Sequence, residues 1–167
     1  DSIRPGSRAA WGDLKMEQYL PCLYAFLACA GFSIVFEIKK PVLILLSCVT
    51  GAVGWLVYLL FGNMESEVVR YFLATIVVAL LSEVFARIMK APATIFLIIG
   101  IVPLVPGGGL YYAMDALINA DYVLFGQKGI ETAACAGAIA AGVSVVTSIV
   151  RMVASRRTDK IKTEHDG

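Results

Sequence analysis

Charged residues are scarce in this chain, making up 16% of 167 residues against 59% hydrophobic ones, and they balance to a net charge of +1. That leaves no basic surface for nucleic acid. The single histidine, His165, lies in a charged tail, so histidine-based metal binding or nucleophilic catalysis has no residue to use. Cys22, Cys29, Cys48 and Cys135 all fall inside apolar runs without the short paired spacing of a metal site. They read as buried thiols that pack as small hydrophobes. No Gly-Lys-Ser/Thr follows a glycine cluster, which removes a nucleotide-phosphate loop. No nucleophile and base pair, metal cluster or cofactor loop is visible, so neither an enzyme nor a cofactor is expected. The polar start, Asp1 to Lys15, has no apolar centre and no methionine. It is expected to be a processed or truncated end and not a signal peptide.

What the chain has in abundance is apolar sequence. A mean hydropathy of +0.79 is more than a soluble domain of this length can bury, so the solvent of this protein is a lipid bilayer. The expected fold is all-α and polytopic, with about five transmembrane helices, the fourth of them broken. Tyr19 to Phe36 forms the first span, and its roughly 18 residues cover about 27 Å, close to a hydrocarbon core. Val42 to Phe61 is the second, with Ser47, Gly51 and Gly54 making a strip on which another helix can approach closely. Val68 to Ala86 is the third. The fourth runs from Ala93 to Val105, breaks, and resumes from Leu110 to Asn119. Asp121 to Glu131 is expected as a loop before a last span, Ala133 to Val150. That span carries two small-residue ladders, Ala134, Ala138, Gly142 and Ala133, Gly137, Ala141, and is expected to be clasped on two sides. The chain thus divides into a polar tail over 1–15, a membrane domain over 16–153 and a charged cytoplasmic tail over 154–167.

The break is the feature on which a function turns. Pro103 and Pro106 lack an N–H and crowd the carbonyls of Ile99 and Val102, and Gly107, Gly108 and Gly109 then relieve the backbone of side-chain restriction. Unpaired backbone at membrane depth survives only where protein buries it or where it lines a watery cavity. A second half-helix starting near Leu110 would aim its first N–H groups at the break, an arrangement that suits a carboxylate. Tyr111 and Tyr112 add hydroxyls. The same residues also fit a surface turn before an interfacial helix, with the tyrosines in an aromatic belt.

Glu83 and Arg87 are four apart in the favourable order for an ion pair on one helical face. They fit either a headgroup-level anchor or a proton or ion path, because carboxylates inside an apolar run tend to line such paths. Asp115, one turn beyond Tyr111, is a second coupling candidate. Glu65, Glu67, Asp121 and Glu131 read as solvated loop charges. With five crossings, one side holds nine basic residues, Lys39, Lys40, Arg87, Lys90, Arg151, Arg156, Arg157, Lys160 and Lys162. The other holds five, Arg4, Arg8, Lys15, Arg70 and Lys128. The richer side is expected to be cytoplasmic, which puts the N-terminus out and the C-terminus in.

Ala30-Gly31-Phe32-Ser33, Gly51-Ala52-Val53-Gly54-Trp55, Ser82-Glu83 through Arg87, and above all Ala91-Pro92-Ala93-Thr94 followed by Ile101-Val102-Pro103-Leu104-Val105-Pro106-Gly107 and Tyr111-Tyr112 resemble the threonine/serine exporter family. The resemblance runs from about Glu17 to Val153. It is to the smaller component, which is the C-terminal half of fused exporters and a separate subunit in split ones. It implies a secondary exporter of small carboxylate-bearing metabolites in a bacterial inner membrane. Some members are linked to threonine and serine and a split pair to succinate-like dicarboxylates. It also implies a larger membrane subunit as partner, for which self-association is the alternative. The competing reading is a non-transporting scaffold whose ladders only hold that partner.

Overall fold

The structure, a computed structural model, describes the backbone of residues 8–165 and the side chains of residues 20–153. Residues 1–7 of the expected N-terminal tail, Arg4 among them, lie outside the described residues, as do the side chains of the C-terminal tail. Six α-helices follow one another: α1 (Arg8–Val35), α2 (Pro41–Leu60), α3 (Glu67–Met89), α4 (Ala93–Ile101), α5 (Gly107–Ile118) and α6 (Tyr122–His165), with a 3₁₀ turn at Val102–Leu104 between α4 and α5. Among the described residues α2, α3 and residues Tyr122–Val153 of α6 are each long and apolar enough to cross a membrane. The pair Ala93–Leu104 and Gly107–Ile118 is long and apolar enough only when taken together and is bent by 49°, as a broken span or a re-entrant loop is, and α1 adds a shorter apolar stretch, Leu20–Val35. The all-α polytopic architecture is therefore the observed one, with a bent pair where the broken fourth segment is expected.

Local chemistry sets the helix boundaries. Pro41 opens α2, where its fixed φ is already helical and its missing N–H is not needed. At the end of α1, Glu37 takes a left-handed φ of 53°. Its N–H then reaches Ile34 O at 3.0 Å and the Ile38 N–H reaches Ser33 O at 3.2 Å, a Schellman closure. Lys90 (φ 50°) and Ala120 (φ 58°) close α3 and α5 in the same way, with Ala91 N–H to Ala86 O and Asp121 N–H to Ala116 O. Pro92, just past Lys90, prevents α3 from continuing.

One expectation is corrected here. Asp121 to Glu131 is not a loop, because α6 begins at Tyr122. Asp121 acts as its cap, its Oδ1 accepting the Leu124 N–H at 3.0 Å. The polar side chains that suggest a loop are the wet face of a capped helix. At its other end α6 runs on to His165, so the backbone of the charged tail continues the last span.

The core lies where α2, α3 and α4 converge. Phe96, Ile99, Leu104, Val78, Thr50 and Thr75 are its largest fully buried side chains. Glycines permit the convergence: a Cβ at position 100 would meet Thr50 Cγ2 at 2.8 Å and Val78 Cγ1 at 3.0 Å. Ser47, Gly51 and Gly54 are all buried, as a close-approach strip requires. Four buried hydroxyls satisfy themselves along their own helices, Ser33 on Cys29 O, Thr50 on Leu46 O, Thr75 on Tyr71 O and Ser82 on Val78 O, whereas Ser47 Oγ has no partner among the described residues. One ladder of α6 packs over two of its three residues: Gly142 sits against Thr75 and the Phe72 carbonyl of α3 and Ala138 is buried beside it, whereas Ala134 is exposed. The other, Ala133, Gly137 and Ala141, is exposed. α5 packs on α6 alone among the described elements.

Candidate functional site

The chain breaks because two consecutive turns lose their hydrogen bonds to proline, and the neighbourhood takes up what is freed. Ile99 O receives the Val102 N–H in a tightened turn and also the Cys29 thiol at 3.3 Å. Val102 O receives the Val105 N–H at 3.3 Å. Val105 then turns extended (φ −61°, ψ 126°) and Pro106 leads into α5. The glycines do not supply unusual dihedrals, since no glycine among the described residues has a positive φ. Gly107, Gly108 and Gly109 are the first turn of α5, which therefore starts three residues earlier than Leu110. Their value is the missing side chain. A Cβ on Gly109 would collide with Thr132 Oγ1 of α6, whereas positions 107 and 108 face open space.

That open space is a cavity of about 420 Å³, within the range of small-molecule sites. Its wall comes from four helices and the break between α4 and α5: Trp55 of α2, Glu67 and Tyr71 of α3, Val105 and Pro106 of the break, Gly107 to Gly109 and Tyr112 of α5, and Lys128, Glu131, Thr132 and Cys135 of α6. Pro106 supplies no side-chain cap to α5, and neither Gly108 nor Gly109 N–H has a backbone acceptor. These amides, at the positive end of the α5 dipole, are on the cavity wall. The Trp55 indole N–H is buried without a partner among the described residues. Gly100 marks the middle of α2 and α3, and Pro106 is roughly six residues, or about 9 Å of helix, nearer the end where Glu67 opens α3.

Charge on the wall is mixed. Lys128 Nζ and Glu131 Oε2 form an ion pair at 2.8 Å, the only one among the described residues. Lys128 precedes the apolar run that begins at Ala133. Glu67 Oε1 accepts the Tyr58 hydroxyl at 3.4 Å, while the Arg70 guanidinium lies 4.2 Å from the centre of the Tyr58 ring. Two carboxylates and one ammonium thus share one chamber with a helix N-terminus.

Of the residues singled out by sequence, Pro106, Gly107, Gly108, Gly109 and Tyr112 come together on this wall. Pro103 sits one turn away against Gly51 and Trp55. Tyr111 is 67% exposed and meets Tyr112 edge to face at 5.5 Å. Asp115 is exposed, its Oδ1 accepting from Asn119 Nδ2 at 3.3 Å. Glu83 and Arg87 are not within ion-pair distance and lie towards the opposite end of α3, near the cluster of Leu43, Ala86 and Phe96. Glu67, Lys128 and Glu131 escape a reading by sequence because their charges look like loop charges, and Thr132 because an uncharged hydroxyl beside them draws no notice. The spacing Lys128, Glu131, Thr132 is nevertheless helical, and Asp121 announces the helix that carries it.

These features define a polytopic α-helical membrane protein with a polar cavity beside a broken span. The family model described as Threonine/Serine exporter, ThrE, matches residues 21–149. The chain belongs to the threonine/serine exporter family. No match was found among curated proteins or among solved structures.

Proposed function

We propose that this chain is one subunit of a secondary exporter in a bacterial inner membrane, and that the cavity at the break holds the substrate. The carboxylate of the substrate accepts from the Gly108 and Gly109 amides and faces Lys128, and its ammonium lies toward Glu67 and Glu131. The observation that carries this reading is the pair of uncapped amides opening on a chamber whose wall holds two acids and one base. A zwitterion satisfies that wall; a dicarboxylate would oppose two like charges. Family membership supports export of threonine or serine, and the mixed wall favours that amino-acid class over succinate-like substrates.

Coupling at Glu83, Arg87 or Asp115 gains no support from proximity, since none of them lines the cavity. The exposed ladder Ala133, Gly137, Ala141 supports a membrane-embedded neighbour, either a larger subunit of the exporter or a second copy.

Gly108→Leu is the direct test, because position 108 has room for a side chain and the side chain would fill the cavity. In cells loaded with threonine and expressing the chain with its larger partner, this variant is expected to cut efflux several-fold at unchanged membrane abundance. Undiminished efflux, with the complex still assembled, overturns the site and leaves the scaffold reading. Glu67→Gln is expected to lower threonine efflux more than succinate efflux.

A further inference from the structure

At the opposite end of the bundle from the cavity, the closure of α1 and the starts of α2 and α4 enclose a groove of about 400 Å³. Its floor is apolar, formed by Leu43, Ile95 and Ile98, and Ile98 and Phe36 are half exposed along its open side. Its rim is polar and carries Lys39 and Lys40. Neither helix that starts here has a side-chain cap, and the N–H groups of Val42, Ala93 and Thr94 have no backbone acceptor.

We propose that this groove is a binding site for one monoanionic phospholipid, with the phosphodiester between Lys39 and Lys40 and an acyl chain along Ile95 and Ile98. The charges decide the occupant. Two lysines against Glu37 leave one net positive charge on the rim. Two helix N-termini each add about half a charge. A single phosphodiester neutralises the net charge of the rim side chains, and the two N-termini add further attraction for it. A zwitterionic choline headgroup brings an ammonium that the rim repels, and a free anion leaves the apolar floor unpaired. Basic pockets between membrane helices on the cytoplasmic side recognise anionic headgroups by the same physics. Glu37 is held on the rim by the left-handed turn that ends α1, where it can accept from the hydroxyls of a glycerol headgroup.

The test is native mass spectrometry of the full chain in detergent with phosphatidylglycerol, phosphatidylcholine or inorganic phosphate added. The wild type is expected to retain one phosphatidylglycerol in preference to phosphatidylcholine and not to release it to inorganic phosphate. Lys39→Gln/Lys40→Gln is expected to weaken retention roughly thirtyfold, about a factor of five for each lysine beside an anionic headgroup. Ile98→Trp is expected to abolish it by filling the groove, with the helical circular dichroism unchanged in both variants. Equal retention of the two lipids, displacement by inorganic phosphate, or wild-type retention in either variant overturns the proposal.

Discussion

The Cys29 thiol donates to the Ile99 carbonyl at 3.3 Å, joining two residues 70 positions apart at the point where Pro103 takes away the normal helical donor. The contact exists because α2 has no side chain at position 51, where a Cβ would fall on the Cys29 sulfur. Gly51→Ala is therefore expected to cost about 1–3 kcal/mol, the usual penalty for overpacking a filled core. Adding Cys29→Ala makes room again. The double variant should be more stable than the sum of the single effects predicts, by about 0.5–3 kcal/mol. Unfolding in detergent, followed by circular dichroism, measures all four proteins of the cycle. Strict additivity would show that the two sites do not touch.

Adjacent glycines at the break differ in a way that a sequence conceals. Gly109 is pinned against Thr132, whose hydroxyl donates to Lys128 O at 2.7 Å, while Gly108 faces the cavity. Alanine at 108 should stabilise α5 by about 0.5–1 kcal/mol, the ordinary gain over glycine inside a helix. Alanine at 109 should instead loosen α5 from α6 and lower the melting temperature. Thr132→Ala should recover part of that loss. Equal effects at 108 and 109 would contradict the packing of α5 on α6.

The break was legible because proline and glycine act locally: Pro103 and Pro106 disable identifiable carbonyls whatever surrounds them. The spans were legible because lipid imposes a length. The cavity wall was not legible beyond its glycines. Glu67, Lys128 and Glu131 are brought to Gly108 by the parallel packing of α3 and α6, whose first turns lie at the same end, a relation between distant segments. In sequence each resembles a loop charge. The Glu83–Arg87 pair shows the converse, since favourable spacing on a helix offers little energy and the side chains do not meet.

Three helices close on left-handed residues that are not glycine, and Ala120 is the simplest of them because its methyl group does nothing visible there. A left-handed conformation costs an L-residue about 1–2 kcal/mol, which glycine avoids. Part of that gain is lost to the greater freedom of glycine in the unfolded chain. Ala120→Gly is expected to raise stability by about 0.5–1 kcal/mol and to leave the Asp121 cap of α6 intact. A destabilised variant in the same unfolding assay would mean that the turn between α5 and α6 is not left-handed.

The placement of charges also predicts which way the cavity opens. The ends of α1 and α3 and the starts of α2 and α4 carry Lys39, Lys40, Arg87 and Lys90, whereas Asn63 lies in the turn beside Glu67, at the cavity end. Arg70 and Lys128 are the described basic residues at the cavity end; because positive charge is retained on the cytoplasmic face, the cavity is expected to face outward, on the release side of an exporter. Cys29, Cys48 and Cys135 are buried, so a chain with Cys22→Ala gives a quiet background for labelling. On that background Asn63→Cys is expected to react with a membrane-impermeant maleimide in intact cells. Arg87→Cys, also exposed, is expected to react only after permeabilisation. The reverse pattern would invert the protein in the membrane and make the same cavity the site of substrate entry.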